Sequence, residues 1–387
     1  MKFKGYKRSD NTFGSRNLVA VIPSVMCAND VVDTIVDNVP NTRGFFHHQG
    51  CCQLEPDLKT VSETLISLGK SPNAGAVLIV SLGCEGTDTE RLYNELTATG
   101  KPVEIICIQE LGGYSNAVAE GINKAQKLAQ AIGGMTREDA DLSNIVMSIK
   151  CGGSDATSGM ASNLVIGYVA DKIVDLGGTV VFGEVTEFIG AEHILAKRAV
   201  SEEVGKNIIK LVKDLEERAN AVGVDMRKGQ PTPGNIKGGL SSIEEKSLGA
   251  IVKSGHRPIQ GILEYHEPIG KRKGLWIKDT PGREPEILTG MAATGSQVML
   301  FSTGRGAPQG FPTMPVIKIC GNPITYRNMS NDMDINAGLI LSGEKSVEEV
   351  GEEAFEFMLK VLSGMPTKNE AIGYYRHIDI WVKGPVI

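Results

Sequence analysis

The sequence predicts an α/β protein of two domains, each a mainly parallel, Rossmann-like sheet flanked by helices. Three observations predict it. Short, continuously apolar runs alternate with longer stretches whose apolar residues recur at helical spacing, and such runs read as strands covered on both faces of a parallel sheet. Glycine accounts for 46 of 387 residues, about 12% against a usual ~7%, which suits tight strand-to-helix loops where backbone approaches a ligand. The length of 387 residues exceeds the roughly 100–200 residues of one domain.

In chain order, residues 18–22 (LVAVI) read as the first strand and 30–39 as the amphipathic helix after it. Strands at 44–48, 76–82 and 103–108 alternate with helices at 56–68, 89–99 and 118–132. The last of these helices carries Val118, Ile122, Ala125, Ala129 and Ile132 on one face. Residues 133–144 are glycine-rich and then acidic. They place the boundary between a domain of residues 1–140 and a larger one of 141–387, with the active site in the cleft between them. The pattern resumes with strands at 145–150, 179–183, 297–301 and 316–320 and helices at 161–174 and 202–222. Ser201 can cap the helix at 202, and Gly223 can end it. Residues 224–245 read as loop. The final helix, 347–362, opens on a capping box of Ser346 and Glu349 and closes at Gly364.

Lys and Arg number 40 against 46 Asp and Glu, with no block of like charge, which argues against a binder of nucleic-acid phosphates. No apolar run approaches the ~20 residues of a membrane span. The N-terminal residues lack the apolar core of a signal peptide. Seven cysteines with no CxxC pair imply free thiols in the cytoplasm and no zinc ribbon. Gly69-Lys70-Ser71 imitates the end of a P-loop, but Thr64 replaces its first glycine. Neither HExxH nor GxSxG occurs.

Three polar signatures stand at the C-terminal ends of predicted strands, where open α/β sheets bind ligands. They are 47–52 (HHQGCC), 83–86 (GCEG) and 150–155 (KCGGSD). Thiols, imidazoles and carboxylates gathered there would suit a transition metal, although cysteine is also a common buried hydrophobe. Cys27, Cys107 and Cys320 lack polar neighbours and read as core. Glu184, Glu187 and Glu192 follow a predicted strand, as ligands or as helix N-terminal acids. Arg8, Arg16 and Asn17 beside the first strand, Lys237, Lys246 and Lys253 in the middle, and Arg305 between two glycines are candidates to hold an anion, Arg by its planar fork. His193, His256, His266 and His377 stand alone and read as structural or surface residues.

At these residues the sequence resembles the altronate and galactarate dehydratases, in particular their large-subunit type. The resemblance runs through 5–17 (GYKRSDNTFGSRN), 47–51 (HHQGC), 81–85 (SLGCE), 150–163 (KCGGSDATSGMASN), 187–195 (EFIGAEHIL), 233–249 (PGNIKGGLSSIEEKSLG), 301–310 (FSTGRGAPQG), 315–319 and 333–338. It implies a lyase that performs β-elimination on a 2-hydroxy acid to give a 2-oxo acid, a sugar-acid dehydratase in the first instance. The alternative is a sulfolactate sulfo-lyase large subunit, which expels sulfite; a non-catalytic binding module is the remaining reading. It also implies a divalent metal, Fe2+ or Mn2+, with a [4Fe–4S] cluster as the alternative.

On this reading His47, Glu85, Lys150 and Asp155 are the catalytic candidates. Arg16, Ser154, Asn235, Lys237 and Arg305 would bind substrate, and Cys51, Cys84, Cys151 and Glu187 would hold metal. A separate small β-rich subunit would complete the site within a hetero- or homo-oligomer. Two departures touch positions that could read substrate: Cys52 where the family has Gly, and Ser302 and Ala307 where FTTGRGTP is usual.

Overall fold

A computed structural model describes residues 1–229, 231–376 and 378–385 of the chain. Strand β1 (Lys2–Lys7) buries Phe3 and Gly5 and exposes Lys2 and Lys4, the alternation of a strand covered on one face. It pairs antiparallel with β2 (Phe13–Gly14). Then β3 (Leu18–Pro23), β4 (Thr42–Gly44), β5 (Ala74–Ser81) and β6 (Val103–Cys107) form a parallel sheet in the order β4-β3-β5-β6. Strand β7 (Glu138–Asp141) returns antiparallel to β1, so the stretch read as a boundary contains a strand.

Seven further strands build a second sheet. They are β8 (Val146–Cys151), β9 (Thr179–Phe182), β10 (Ile259–Leu263), β11 (Gly274–Lys278), β12 (Val298–Thr303), β13 (Val316–Cys320) and β14 (Ile335–Asn336). Their order is β10-β11-β9-β8-β12-β13-β14, with every pairing parallel. The fold is therefore α/β with parallel sheets flanked by helices, as predicted. Among the described residues no helix is long and apolar enough to cross a membrane.

The predicted caps are present: the Ser201 hydroxyl accepts from Val204 N–H, and Ser346 and Glu349 form the capping box. Several elements differ from prediction. Strand β4 stops at Gly44, because the chain peels away to bring the His47 ring against the Pro23 carbonyl, 2.8 Å away. Strand β10 (IQGIL) is interrupted by Gln260 and Gly261 and β11 (GLWIK) has only three apolar residues in a row, Leu275–Ile277, so neither stands out as a strand in the sequence. The stretch read as loop after residue 224 contains the short helices Met226–Gly229 and Pro233–Lys237 and leads into Ile243–Ile251. Cys27, expected in the core, is exposed, Cys107 is half-buried and Cys320 is buried. His377 lies outside the described residues.

Three apolar layers hold the two large sheets. Val19, Val21 and Leu78 face Val32 and Ile35 of helix Asn29–Asn38 and Leu128 of helix Tyr114–Gly133. On the far side of the second sheet, Ile149, Phe182 and Leu300 meet Ile166 and Val169 of helix Asn163–Asp175 and Met358 of helix Val347–Leu362. Between the sheets, Ile22 and Ile79 share one core with Leu65 of helix Glu55–Lys70, Leu288 and Met291 of helix Glu284–Ala293, and Met299 and Phe301 of β12.

Because that middle layer belongs to both sheets, removing a side chain from it should weaken both together. Met291→Ala, at a fully buried position, is expected to cost about 2–5 kcal/mol and to leave unfolding by denaturant a single transition; two separate transitions would contradict the shared core.

Candidate active site

Both large sheets place polar loops at a topological switch point, where neighbouring strands lead away in opposite directions and leave a crevice. In the second sheet this point lies between β8 and β12. The loop after β8 carries Gly152, Gly153, Ser154 and Asp155; the loop after β12 carries Gly304, Arg305 and Gly306. Arg305 N–H donates to the Gly153 carbonyl at 2.8 Å, and Gly153 has a φ of +60°. Gly304 is required here, since a Cβ would lie 1.9 Å from Asp155 Oδ1.

Beneath these loops is a buried ladder of alternating charge. Lys150 Nζ donates to Glu184 Oε1 at 2.5 Å, and Lys253 Nζ donates to Glu184 Oε2 at 2.5 Å and Glu187 Oε2 at 2.6 Å. Burial disfavours every one of these charges, yet each ion answers the next. The Lys150 ammonium is lifted above the ordinary lysine range because Glu184, Glu284 and Glu187 outweigh its desolvation. Burial pushes the Glu184 carboxyl up, but Lys150 and Lys253 outweigh it and hold it below the usual range. Burial, with Glu187 close by, pushes the Cys151 thiol up to about 11, so it is a neutral thiol at pH 7, with its Sγ 3.0 Å from Ser154 Oγ. Glu184 itself has a φ of +68°, a left-handed conformation unusual for a side-chain-bearing residue. It is secured by donation from its own N–H to Thr280 Oγ1 at 2.8 Å and from Cys151 N–H to its carboxylate at 2.8 Å.

A cavity of about 280 Å³ opens above the ladder, lined by Lys150, Cys151, Ser154, Glu187, Asn235 and Arg305, all expected site residues. Lys246, one of the expected anion-holding candidates, and Glu284, which was not expected, line it too. Glu284 opens the helix that follows β11, and Gly152 lets it approach: a Cβ there would lie 2.5 Å from Glu284 Oε1. Among the described residues Glu284 and Arg305 have no hydrogen-bond or ion-pair partner, and Lys246 has only a distant one, Glu187 at 4.0 Å. Lys150, in contrast, is committed to Glu184, the Cys151 carbonyl at 2.8 Å and the Gly282 carbonyl at 3.3 Å. Asn235 serves the scaffold, donating to the Ser154 carbonyl at 2.8 Å and forming the capping box with Thr232.

The remaining expected residues lie elsewhere. Asp155 borders a neighbouring cavity, and its carboxylate is occupied by Thr157, Ser158 N–H and Asn322. Lys237 is exposed and lines neither cavity. Arg16 spends its guanidinium on Glu370 and on the carbonyls of Ser15, Val361 and Met365.

His47, Cys51, Cys84 and Glu85 gather at the switch point of the first sheet, between β3 and β5. There Ser24 donates to Glu85 Oε1 at 2.5 Å, and Gly86 N–H donates to the Gly50 carbonyl at 2.9 Å. Burial raises the Glu85 carboxyl, but donation from Ser24 and from the backbone of Glu85, Gly83 and Leu82 overrides it and holds the group low. His47 is buried with both ring nitrogens used: Nε2 faces the Pro23 carbonyl, and Nδ1 accepts from Gln49 N–H at 3.2 Å. Burial drives its pKa down to about 4, so the ring is a neutral brace. Cys51, Cys52 and Cys84 are exposed at this edge.

The expected metal ligands are thus divided, Cys51 and Cys84 on one sheet and Cys151 and Glu187 on the other. Among the described residues no three His, Cys, Asp or Glu side chains come together as a metal cage. Glu187 is bound to Lys253 and the four candidates stand on two sheets, so this set, as placed, does not enclose a divalent ion. One bridge joins the two edges: His48 Nδ1 meets Asp379 at 2.8 Å, and Asp379 meets Arg283, between Gly282 and Glu284, at 2.6 Å.

The sequence matches two family models that together span most of the chain. The model described as D-galactarate/altronate dehydratase, C-terminal, covers residues 142–386, and the one described as D-galactarate dehydratase/altronate hydrolase, second domain, covers residues 5–133. The chain belongs to the galactarate/altronate dehydratase family. Within that family it is 36% identical to the (2R)-sulfolactate sulfo-lyase subunit beta of Chromohalobacter salexigens, over 96% of this chain and 95% of the relative. It is 36% identical to the galactarate dehydratase (L-threo-forming) of Escherichia coli K12, over 99% of this chain and 77% of that one. The altronate dehydratase of Bacillus subtilis 168 is 33% identical, over 95% and 75%. All three names are those of lyases.

Two measurements test this geometry. Glu184→Gln would leave the buried Lys150 ammonium without a carboxylate and Lys253 with Glu187 alone, and is expected to lower stability by about 3–5 kcal/mol; loss below about 1 kcal/mol in chemical denaturation would contradict a coupled ladder. His47 is depressed in the fold, so the unfolded chain binds its proton first as pH falls. Its contribution, roughly 3 kcal/mol for a shift from 6.5 to about 4, is present above pH 6.5 and disappears between 6.5 and about 4. His47→Gln should flatten the stability profile in that window only.

Proposed function

We propose that this chain is the catalytic subunit of a lyase that removes water across C2 and C3 of a sugar acid, leaving a 2-oxo acid. The observation that carries the reading is one cavity that, among the described residues, holds a carboxylate without a partner, Glu284, a guanidinium without one, Arg305, and Lys246, whose nearest carboxylate is Glu187 at 4.0 Å.

Elimination from a 2-hydroxy acid needs a base for the C2 proton, positive charge at the carboxylate and a proton for the leaving oxygen. Arg305 offers the planar fork that grips a carboxylate through two parallel bonds, and it stabilises the charge that builds there as the C2–H bond breaks. Glu284 takes the C2 proton. Lys246 donates a proton to the C3 hydroxyl as the C3–O bond breaks, and Glu284 returns its proton to Lys246. The products are water and an enol, which tautomerises to the 2-oxo acid. Lys150, Glu184, Lys253 and Glu187 act as positioning residues that set the field of the cavity floor.

A divalent metal belongs to this proposal only as a component of the complete assembly, because the donors of this chain do not enclose one; no step above runs through it. A relative named as a subunit supports a multi-subunit enzyme, with the small β-rich partner as the proposed source of the missing contacts.

A second reading is favoured by one observation: over 96% of its length the chain is 36% identical to a protein named (2R)-sulfolactate sulfo-lyase subunit beta. On that reading sulfite leaves C3 instead of water.

The test is anaerobic assay of the chain with its small partner and ferrous iron on altronate, galactarate and sulfolactate, following 2-oxo acid and sulfite together. Oxo acid without sulfite supports the dehydratase, sulfite with pyruvate supports the second reading, and no product from any substrate overturns both. In whichever reaction is found, Glu284→Gln should lower kcat by about 10²–10⁴-fold with little change in KM, whereas Arg305→Lys should mainly raise KM; equal activity of E284Q and the parent would remove Glu284 from catalysis.

A further inference from the structure

Two thiols at the edge of the first sheet lie against each other and take no part in the proposed elimination. Cys51 Sγ is 3.7 Å from Cys52 Sγ, and both residues are exposed. They stand in the loop between β4 and helix Glu55–Lys70. That loop is braced on both sides of the pair. Gly86 N–H donates to the Gly50 carbonyl at 2.9 Å, Gly50 N–H donates to Gln53 Oε1 at 2.9 Å, and Gln53 Nε2 donates to Gln49 Oε1 at 2.6 Å.

The backbone supplies a second observation. Cys52 has a φ of +51°, in the left-handed region. Among the described residues three other side-chain-bearing residues have a positive φ: Asn11, Asn41 and Glu184. Asparagine tolerates this region, and Glu184 is secured by the buried ladder. The Cys52 side chain has one polar partner among the described residues, the Cys51 thiol. Glycine would take this conformation at no steric cost. A thiol placed there carries backbone strain, and strain of this kind collects at functional sites.

We infer that Cys51 and Cys52 form a redox-sensitive pair, which closes reversibly to a disulfide between adjacent residues by exchange with a small-molecule disulfide. One thiolate attacks a sulfur of the small disulfide and expels one of its halves as a thiol, leaving a mixed disulfide on the chain. The neighbouring thiolate then attacks the chain's own sulfur in that mixed disulfide and expels the second half. The chain gives up two electrons and two protons, and the small disulfide becomes two thiols. The sulfurs close from 3.7 Å to the ~2.0 Å of a bond. Adjacent Cα atoms lie about 3.8 Å apart, less than the roughly 4.4–6.8 Å of ordinary disulfides. The closed ring is therefore strained and easily reduced, which suits a sensor and not a structural brace. This chemistry does not depend on the proposed elimination.

The test follows one peptide. Residues 44–59 lie between Arg43 and Lys59, so trypsin releases them together, and they contain no cysteine besides Cys51 and Cys52. The full chain is reduced, freed of reductant under argon, incubated with oxidised glutathione, alkylated, digested and weighed by mass spectrometry. The peptide is expected to lose two hydrogens, to carry neither alkyl group nor glutathione, and to recover both thiols in dithiothreitol. Cys52→Gly, which suits the left-handed backbone, and Cys51→Ser should each stall with one glutathione held on the remaining cysteine. Phenylarsine oxide, which bridges neighbouring thiols, should bind the parent at least tenfold more tightly than either variant. Glutathione retained on this peptide in the parent, a disulfide from Cys51 or Cys52 to Cys84, unreacted thiols, or equal arsenical binding by parent and variants would overturn the pair.

Discussion

The site depends on one arrangement, the Lys150–Glu184–Lys253–Glu187 ladder under the second sheet. Four full charges without solvent are tolerable only because each carboxylate oxygen that faces an ammonium lies at hydrogen-bond distance from it. That demand fixes much around it. It holds Glu184 in a left-handed conformation, ties Cys151 N–H to the same carboxylate, and positions the loops after β8 and β9 relative to each other. The charges spent on this structure are not the ones that face the cavity. Among the described residues Arg305 and Glu284 have no partner and Lys246 only a distant one, because the ladder has already satisfied its own members.

The fold brings two switch points to one side of a shared core. The first sheet contributes exposed thiols and a capped carboxylate; the second contributes the charged cavity. Helices Glu55–Lys70 and Glu284–Ala293 pack between the sheets, so the helix that presents Glu284 is also a member of the core joining them. The chain His48–Asp379–Arg283 ties the loop of one edge to the loop carrying Glu284. A subunit or ion that reshapes the thiol edge would therefore meet a direct mechanical connection to the proposed base.

Much of the framework was legible from periodicity. Apolar runs at 18–22, 76–82 and 145–150 are strands because their residues are buried on both faces, and Ser201 and Ser346 cap helices because their hydroxyls accept orphan N–H groups. Where the apolar pattern was interrupted the reading failed. Strand β11 contains Lys278, buried with its ammonium on the Glu267 carbonyl, and missing this strand also meant missing the loop and Glu284 behind it. His47 and Asp155 have the residue types of acid–base catalysis, yet their polar atoms are taken by Pro23 and Gln49 N–H in one case, and by a helix start and Asn322 in the other.

The sequence by itself determined the fold class, the family and the three polar loops, since local spacing and ordered motifs are written along the chain. It also singled out Lys150, Cys151, Ser154, Glu187, Asn235 and Arg305, which the fold gathers around one cavity. Only the tertiary structure decided which of those groups are available to one. Availability is a matter of partners: Lys150 is consumed by Glu184, Arg16 by Glu370 and Glu187 by Lys253, across separations that no local pattern encodes. In the cavity, among the described residues, Glu284 and Arg305 keep their charged groups without a partner, and Lys246 meets only Glu187 at 4.0 Å.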